Sequence, residues 1–262
     1  MDATKTPDLH DLYESAVQCP EADIVILDRM YRKRYGRLPG TLREDFCGTA
    51  ALAAEFVRTR PGNRAVGIDL HPPTLEWGRK NRVEPLGEAA SRVRLINDNV
   101  LSVKRPRVDL AVAFNFSYFV FRDRPTLRRY FATVRRALNP EGMFVLDIFG
   151  GWEAQALTTE KRRKRGFTYV WEQTAFDPIT HETTFHIHFH LKDGRKISPA
   201  FTYHWRFWTI PEVREILIEA GFKETEVRWE GTDPKTGKGN GIFRLTRRAE
   251  TCPGWIAYIV AV

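Results

Sequence analysis

The chain has 262 residues, 42% of them hydrophobic, with a formal net charge of +8 at pH 7. That is enough apolar chain for one large domain, or a domain with a sizeable insertion. The longest apolar runs, such as residues 255–262, are too short to cross a bilayer, the stretch Met1-Asp2-Ala3-Thr4-Lys5 lacks the apolar core of a signal peptide, and three isolated cysteines (Cys19, Cys47, Cys252) do not form a disulfide framework, so a cytoplasmic protein without a membrane partner is expected.

Two helices are predicted first, near Asp8–Gln18 and Pro20–Tyr35; in the second, Ile24, Leu27, Tyr31 and Tyr35 recur at helical spacing. Strands and helices then alternate. Strand one ends near Phe46 and its helix covers Thr49–Arg58; strand two is Arg64–Asp69, followed by a helix from Pro72 to about Val83. Strand three is Val93–Asn97. Strand four, Val108–Phe114, is nearly all apolar, as a parallel strand covered on both faces should be. The helix Arg124–Leu138 stops at Asn139-Pro140-Glu141-Gly142, and strand five, Met143–Phe149, reads as fully apolar.

After Gly150-Gly151 the period changes. Thr168–Gln173, Thr183–Leu191 and Ser198–Phe207 alternate by two, with a hairpin turn at Asp193-Gly194, which predicts an antiparallel insertion. A helix at Ile210–Ala220 and two strands, Lys223–Trp229 and Trp255–Val262, close the chain. The fold class expected is α/β: a doubly wound, seven-stranded, mostly parallel sheet with N-terminal helices and an antiparallel β insertion after strand five. The expected divisions are 1–40 (helical lid), 41–150 (nucleotide-site core), 151–209 (insertion acting as a substrate lid) and 210–262 (the rest of the core sheet). Ligands should sit beyond the carboxyl ends of strands one to four.

The segment Thr41–Ala50 carries the chemistry. It reads as a strand running into a sharp turn that opens a helix, and the next strand ends on a lone acid, Asp69. An acid about 20 residues beyond such a turn suits a ribose hydroxyl pair. The turn holds one glycine and is preceded by Glu44 and Asp45, which repel a pyrophosphate and suit a cationic ligand. The Gly-x-Gly-x-x-Gly spacing of a nicotinamide site is missing.

These residues resemble the motifs of class I S-adenosylmethionine-dependent methyltransferases. Glu44-Asp45-Phe46-Cys47-Gly48-Thr49-Ala50 is similar to the family's acid followed by a glycine-rich turn, and Gly67-Ile68-Asp69 to its ribose-binding acid. Asn97-Asp98-Asn99-Val100 is similar to the motif that meets the adenine amino group. The Asn139–Gly142 stop and the Glu219-Ala220-Gly221-Phe222 junction are also family habits. The resemblance implies S-adenosylmethionine as cofactor, S-adenosylhomocysteine as product, and cofactor contacts from Glu44, Asp45, Gly48, Asp69, Leu70, Asp98, Asn99 and Asn115. The chain departs from the pattern at Phe46 and Ala50, which stand where the first and third glycines are usual.

The end of strand four, Asn115-Phe116-Ser117-Tyr118-Phe119, faces the transferred methyl in this fold, which makes Asn115 and Tyr118 candidates at the acceptor. In the insertion, His186, His188 and His190 share one strand face, so His188 is a candidate base or substrate contact; a solvated strand face explains the same pattern. Arg206 sits among aromatics in Tyr203–Trp208 and is suited to gripping a carboxylate or phosphate, while a surface ion pair is the plainer reading. Tyr13 is a further candidate for closing over the cofactor. Successive same-face histidines diverge, so no metal is expected.

The expected function is methylation, on N or O, of a small polar molecule in a lidded pocket, a layout similar to that of small-molecule N-methyltransferases. The alternatives are methylation of RNA or protein with Lys161-Arg162-Arg163-Lys164-Arg165 as docking patch, and a non-catalytic cofactor-binding protein. The charge leaves a nucleic-acid partner possible without favouring it, and a homodimer is equally possible.

Overall fold

The computed structural model describes residues 7–262; the reading of Met1–Lys5 lies outside the described residues. In chain order the elements are α1 (Leu9–Val17), α2 (Pro20–Tyr35), β1 (Thr41–Asp45), α3 (Ala51–Thr59), β2 (Arg64–Asp69), α4 (Pro72–Gly78), β3 (Val93–Asn97), β4 (Val108–Ala113), α5 (Arg124–Arg136) and β5 (Leu138–Gly150). They continue as β6 (Thr159–Lys164), β7 (Phe167–Phe176), β8 (Glu182–Leu191), β9 (Lys196–Arg206), α6 (Ile210–Glu219), β10 (Thr225–Thr232), β11 (Gly239–Leu245) and β12 (Trp255–Ala261). Several starts follow from local chemistry. Asp8 caps α1 by accepting from His10 N–H, Asp123 caps α5 by accepting from Thr126 N–H, and Thr209 and Glu212 form a reciprocal capping box on α6.

The chain forms two compact units. The larger holds residues 20–154 and 208–262. Its sheet has the order β11-β10-β12-β5-β4-β1-β2-β3, with β3, β2, β1, β4 and β5 parallel and β12, β10 and β11 antiparallel. Every residue of β4 is buried, as expected of a central strand covered on both faces. The core on one face gathers Leu27, Tyr31, Phe56, Leu110 and Val145. Strand order reverses between β1 and β4, and the crevice beyond their carboxyl ends is the place where such sheets take ligands.

The sheet has eight strands rather than the seven expected. The extra strand is β11, in the glycine-containing stretch read as a loop; it pairs antiparallel with β10 and takes the edge. Sparse hydrophobic alternation hides it, because an edge strand has little to bury. β5 also begins earlier than expected and takes in Asn139–Gly142.

The smaller unit holds α1 and residues 155–207. Its sheet is antiparallel, in the order β6-β7-β8-β9. Leu12 and Ala16 of α1 pack with Phe167, Ile187 and Phe189 in one cluster. The two N-terminal helices thus fall into different units, α1 here and α2 in the larger one. Four residues of the basic run expected to be a patch, Lys161–Lys164, form most of β6, a strand exposed along its length at the sheet edge. Charges on an edge strand discourage pairing with another chain.

Candidate active site

The turn from β1 to α3 adopts the backbone that its motif demands without the glycines. Phe46 (φ 56°), Gly48 (φ 53°) and Ala50 (φ 58°) are all left-handed. The left-handed region costs a non-glycine residue about 1–2 kcal/mol, so Phe46 and Ala50 must be held there. Cys47 N–H donates to Ile68 O at 3.0 Å and Ala50 N–H to Cys47 O at 2.8 Å. The Phe46 ring lies 5.8 Å from Phe121 and 5.6 Å from Tyr130. Gly67 and Gly78 leave room for the turn: a Cβ on Gly67 would come within 2.9 Å of Cys47 Sγ, and one on Gly78 within 2.2 Å of the Thr49 carbonyl oxygen.

Three acids frame this turn in different ways. Asp69, at the end of β2, accepts from Gly48 N–H at 2.8 Å and from His71 N–H at 2.9 Å. Glu44 is buried and accepts from Ala53 N–H at 2.9 Å, in the first turn of α3. Asp45 points to the opposite face. Its carboxylate is fully buried, takes Arg43 Nε at 2.7 Å and accepts from Tyr130 OH at 2.9 Å. Arg43 in turn donates to Val103 O at 2.6 Å and Val100 O at 3.3 Å. Asp45 is therefore a structural ion-pair partner, and the expectation of a cofactor contact from it is corrected: neighbouring strand residues point to opposite faces, and only Glu44 lies on the α3 side. Burial, with the carboxylates of Glu44, Asp69 and Asp45, pushes the Cys47 thiol well up, which removes it as a nucleophile.

At the end of β3, Asp98 is exposed and Asn99 half-buried; Asp98 Oδ1 accepts from Asn99 N–H at 2.6 Å, and Asn99 Oδ1 from Leu101 N–H at 2.9 Å. Asn97 Nδ2 donates to Asp69 O at 3.0 Å, joining the ends of β2 and β3. Leu70 is 64% exposed beside Asp69, an apolar surface next to the acid.

Beyond β4, Asn115 (φ 58°) and Phe116 (φ 57°) are two successive left-handed residues. Their N–H groups both bind Asp147, Asn115 N to Oδ2 at 2.8 Å and Phe116 N to Oδ1 at 2.9 Å. Charge-assisted bonds of this type contribute about 1.5–3 kcal/mol each, enough to offset the backbone strain. Asp147, which holds this turn, is a residue that the sequence reading missed. It interrupts a strand read as fully apolar, and a lone acid near the carboxyl end of a central strand was the available signal. Burial pushes its carboxyl up to about 7, against the two N–H bonds and with a small further rise from Asp23.

The remaining candidates are placed as follows. Tyr118 is fully buried, its ring 5.0 Å from Phe119 and 6.1 Å from Phe131; the expectation that it meets the acceptor is corrected, because packing takes it out of reach. In the smaller unit, His188 Nε2 lies 3.0 Å from Glu172 Oε2 and its Nδ1 2.7 Å from Ser198 Oγ. His186 Nδ1 lies 2.9 Å from Thr202 Oγ1. Arg206 ends β9, in register with Glu182, and Tyr13 meets Phe201 edge-on at 5.1 Å.

The donor set fits an adenosyl sulfonium cofactor. The Gly48 N–H, which in a pyrophosphate site would face phosphate, is taken by Asp69, and that carboxylate keeps further lone pairs for ribose hydroxyls. Residues 47–144 match a family described as a methyltransferase domain. The matched segment is thus a methyltransferase domain, carried on a fold shared with S-adenosylmethionine-dependent methyltransferases. Among solved structures the fold is similar to that of an S-adenosylmethionine-dependent methyltransferase from Clostridium acetobutylicum, at 17% identity and a TM-score of 0.68, covering 97% of each chain. It is similar to an S-adenosylmethionine-bound amino pentose methyltransferase of calicheamicin biosynthesis from Micromonospora echinaspora, at 16% identity and a TM-score of 0.64, covering 98% of this chain and 99% of that one. A sugar N-methyltransferase from Streptoalloteichus sp. matches at 16% identity and a TM-score of 0.63, covering 100% and 95%. At these identities the likeness is one of fold. No curated protein matches the chain in sequence. Among the described residues no helix is long and apolar enough to cross a membrane.

Proposed function

We propose that this enzyme methylates a small polar molecule, an amine in preference to a hydroxyl. The observation that carries the reading is the sign of the ligand crevice. Glu44, Asp69, Asp98 and Asp147 stand at or beside the carboxyl ends of β1, β2, β3 and β5, a field that draws cations and repels phosphates. The two sugar-amine methyltransferases of similar fold act on acceptors of this class.

In this reading Asp69 accepts from the ribose hydroxyls, with Leu70 against the adenine and Asp98 and Asn99 at its polar edge. Glu44 adds negative charge at the start of α3, and the left-handed turn at Gly48 lets the backbone come close. S-adenosylmethionine, when bound, supplies a methyl group on a sulfonium. The chain's own part is to align that group with an unprotonated acceptor and to exclude water. Asn115, half-buried beside the crevice, offers an amide to orient the acceptor. No strong base is required where the acceptor is an amine that loses its proton near neutral pH.

The test is a methyl-transfer screen of amines, amino sugars, amino acids, phenols and carboxylates, with bulk RNA as a further substrate. Turnover confined to amines supports the reading. Turnover of RNA, lost when Lys161–Arg165 is neutralised, would replace it with a nucleic-acid substrate docked on β6.

A further inference from the structure

We infer that Asp147 is a positioning residue for methyl transfer, its two carboxylate oxygens clamping the Asn115–Phe116 turn at the carboxyl end of β4 in the form that presents the acceptor edge. The inference rests on the methyltransferase reading of the crevice, and it concerns Asp147, to which composition and motif spacing gave no role.

The geometry is specific. Asn115 and Phe116 are consecutive residues at φ 58° and 57°. Asparagine tolerates that region, whereas an aromatic residue rarely enters it, so the turn does not hold itself. The two consecutive N–H groups both reach the same carboxylate, and Asp147 takes them with one oxygen per N–H at 2.8 and 2.9 Å. Downstream, Ser117 Oγ donates to Phe114 O at 2.8 Å and Phe119 N–H to Phe116 O at 2.9 Å. The Phe116 ring lies 4.6 Å from Phe149 on the same strand as Asp147. One carboxylate thus sets the path of the chain beside the point where strand order reverses.

The clamp needs the ionised acid. A protonated carboxyl presents O–H to one of the two N–H groups, donor against donor, and one bond is lost. Against the two N–H bonds, burial and the neighbouring carboxylate of Asp23 disfavour its ionisation. Asp23 on α2 lies near it and carries a carboxyl itself pushed up to about 6 by burial, while Tyr258 on β12 pairs with Asp147 in register and donates its OH to Asp23 at 3.1 Å. Tyr118, in the turn that follows, is pushed up by burial and by Asp147, and Tyr258 is also raised by Glu230 on β10. With the Asp147 carboxyl at about 7, the turn passes from a singly to a doubly held form as pH rises through neutrality.

The experiment uses the full chain with selectively 15N-labelled asparagine and phenylalanine, followed from pH 5 to 9, beside the pH profile of kcat. The expected result is that the Asn115 and Phe116 amide resonances titrate together with one midpoint near neutrality, and that kcat falls on the acid side with the same midpoint. In Asp147→Asn the shared amide titration should vanish, kcat should drop by about tenfold or more, since small misplacements cost that much, and KM for S-adenosylmethionine should change less than threefold. Asp147→Glu should restore part of kcat with a displaced midpoint. Wild-type Asn115 and Phe116 amides that stay flat from pH 5 to 9 would overturn the clamp, and that reading needs neither a variant nor a known acceptor. An amide titration without methyl transfer on any acceptor would keep the clamp and remove the reaction reading instead.

Discussion

The Gly48 backbone N–H donates to Asp69 Oδ2 at 2.8 Å, tying the turn after β1 to the end of β2. One carboxylate thereby shapes the turn and faces the ligand crevice, and the donor that a phosphate would need is used inside the protein.

Asp69→Ala removes both functions. Affinity for S-adenosylmethionine is expected to fall at least tenfold by calorimetry, because charged hydrogen bonds are lost. Asp69→Asn, which keeps one acceptor oxygen, should fall between the two, and NAD should not bind the wild-type chain. An Asp69→Ala affinity within twofold of wild type would remove this acid from the cofactor site.

Gly78 lets α4 lie against the turn, where a Cβ would approach the Thr49 carbonyl to 2.2 Å. Since that obstacle is backbone, it cannot rotate away. Gly78→Ala should destabilise the fold by about 1–3 kcal/mol and weaken cofactor binding with it, whereas Gly62→Ala, with open space around its Cβ, should leave binding unchanged. Denaturant melts and calorimetry on the two variants separate these outcomes.

The buried Arg43–Asp45 pair, closed by Tyr130, predicts loss of stability rather than of chemistry. Arg43→Met leaves Asp45 without its main partner and should cost about 3–5 kcal/mol; Tyr130→Phe should cost about 1–3 kcal/mol. For the fraction that stays folded, S-adenosylmethionine affinity should match wild type. A selective loss of affinity in Tyr130→Phe, without a change in unfolding midpoint, would return Asp45 to the binding site.

Asp23 and Asp147 carry carboxyls raised to about 6 and about 7 by burial. The folded state then holds these protons more tightly than the unfolded chain, so stability from this pair is fully present below about pH 4. It declines as pH rises through about 6 and about 7, where Asp23 and then Asp147 ionise in the folded state. Asp23→Asn removes one of the two titrations. Its Tm should fall less than that of wild type between pH 5 and 8, with a difference of about 2–4 °C for each 1 kcal/mol involved. Parallel Tm–pH curves for the two proteins would contradict the assignment.

Much of the fold is legible along the chain because its signals are local. The apolar run of β4 and the helical spacing of Ile24, Leu27, Tyr31 and Tyr35 in α2 mark elements by pattern alone. β11 escaped, since an exposed edge strand has little apolar alternation to show. At the site, Asp69 was legible from its distance beyond the turn. Alignment on Cys47-Gly48-Thr49 favours Glu44 over Asp45 as the motif acid, and strand alternation requires the two to face opposite ways. Asp147 was hidden inside a run whose apolar neighbours dominated it.

Residue type and spacing alone set the alternation of strands and helices, the acids at the ends of β1, β2 and β3, and the sign of the ligand they attract. The assembled fold adds that Phe46 and Ala50 adopt a glycine-like backbone, that Asp45 serves Arg43 while Glu44 serves α3, and that Asp147 holds Asn115 and Phe116. Each of those outcomes balances backbone strain or buried charge against partners far away in the chain, and such a balance exists only once the sheet has brought them together.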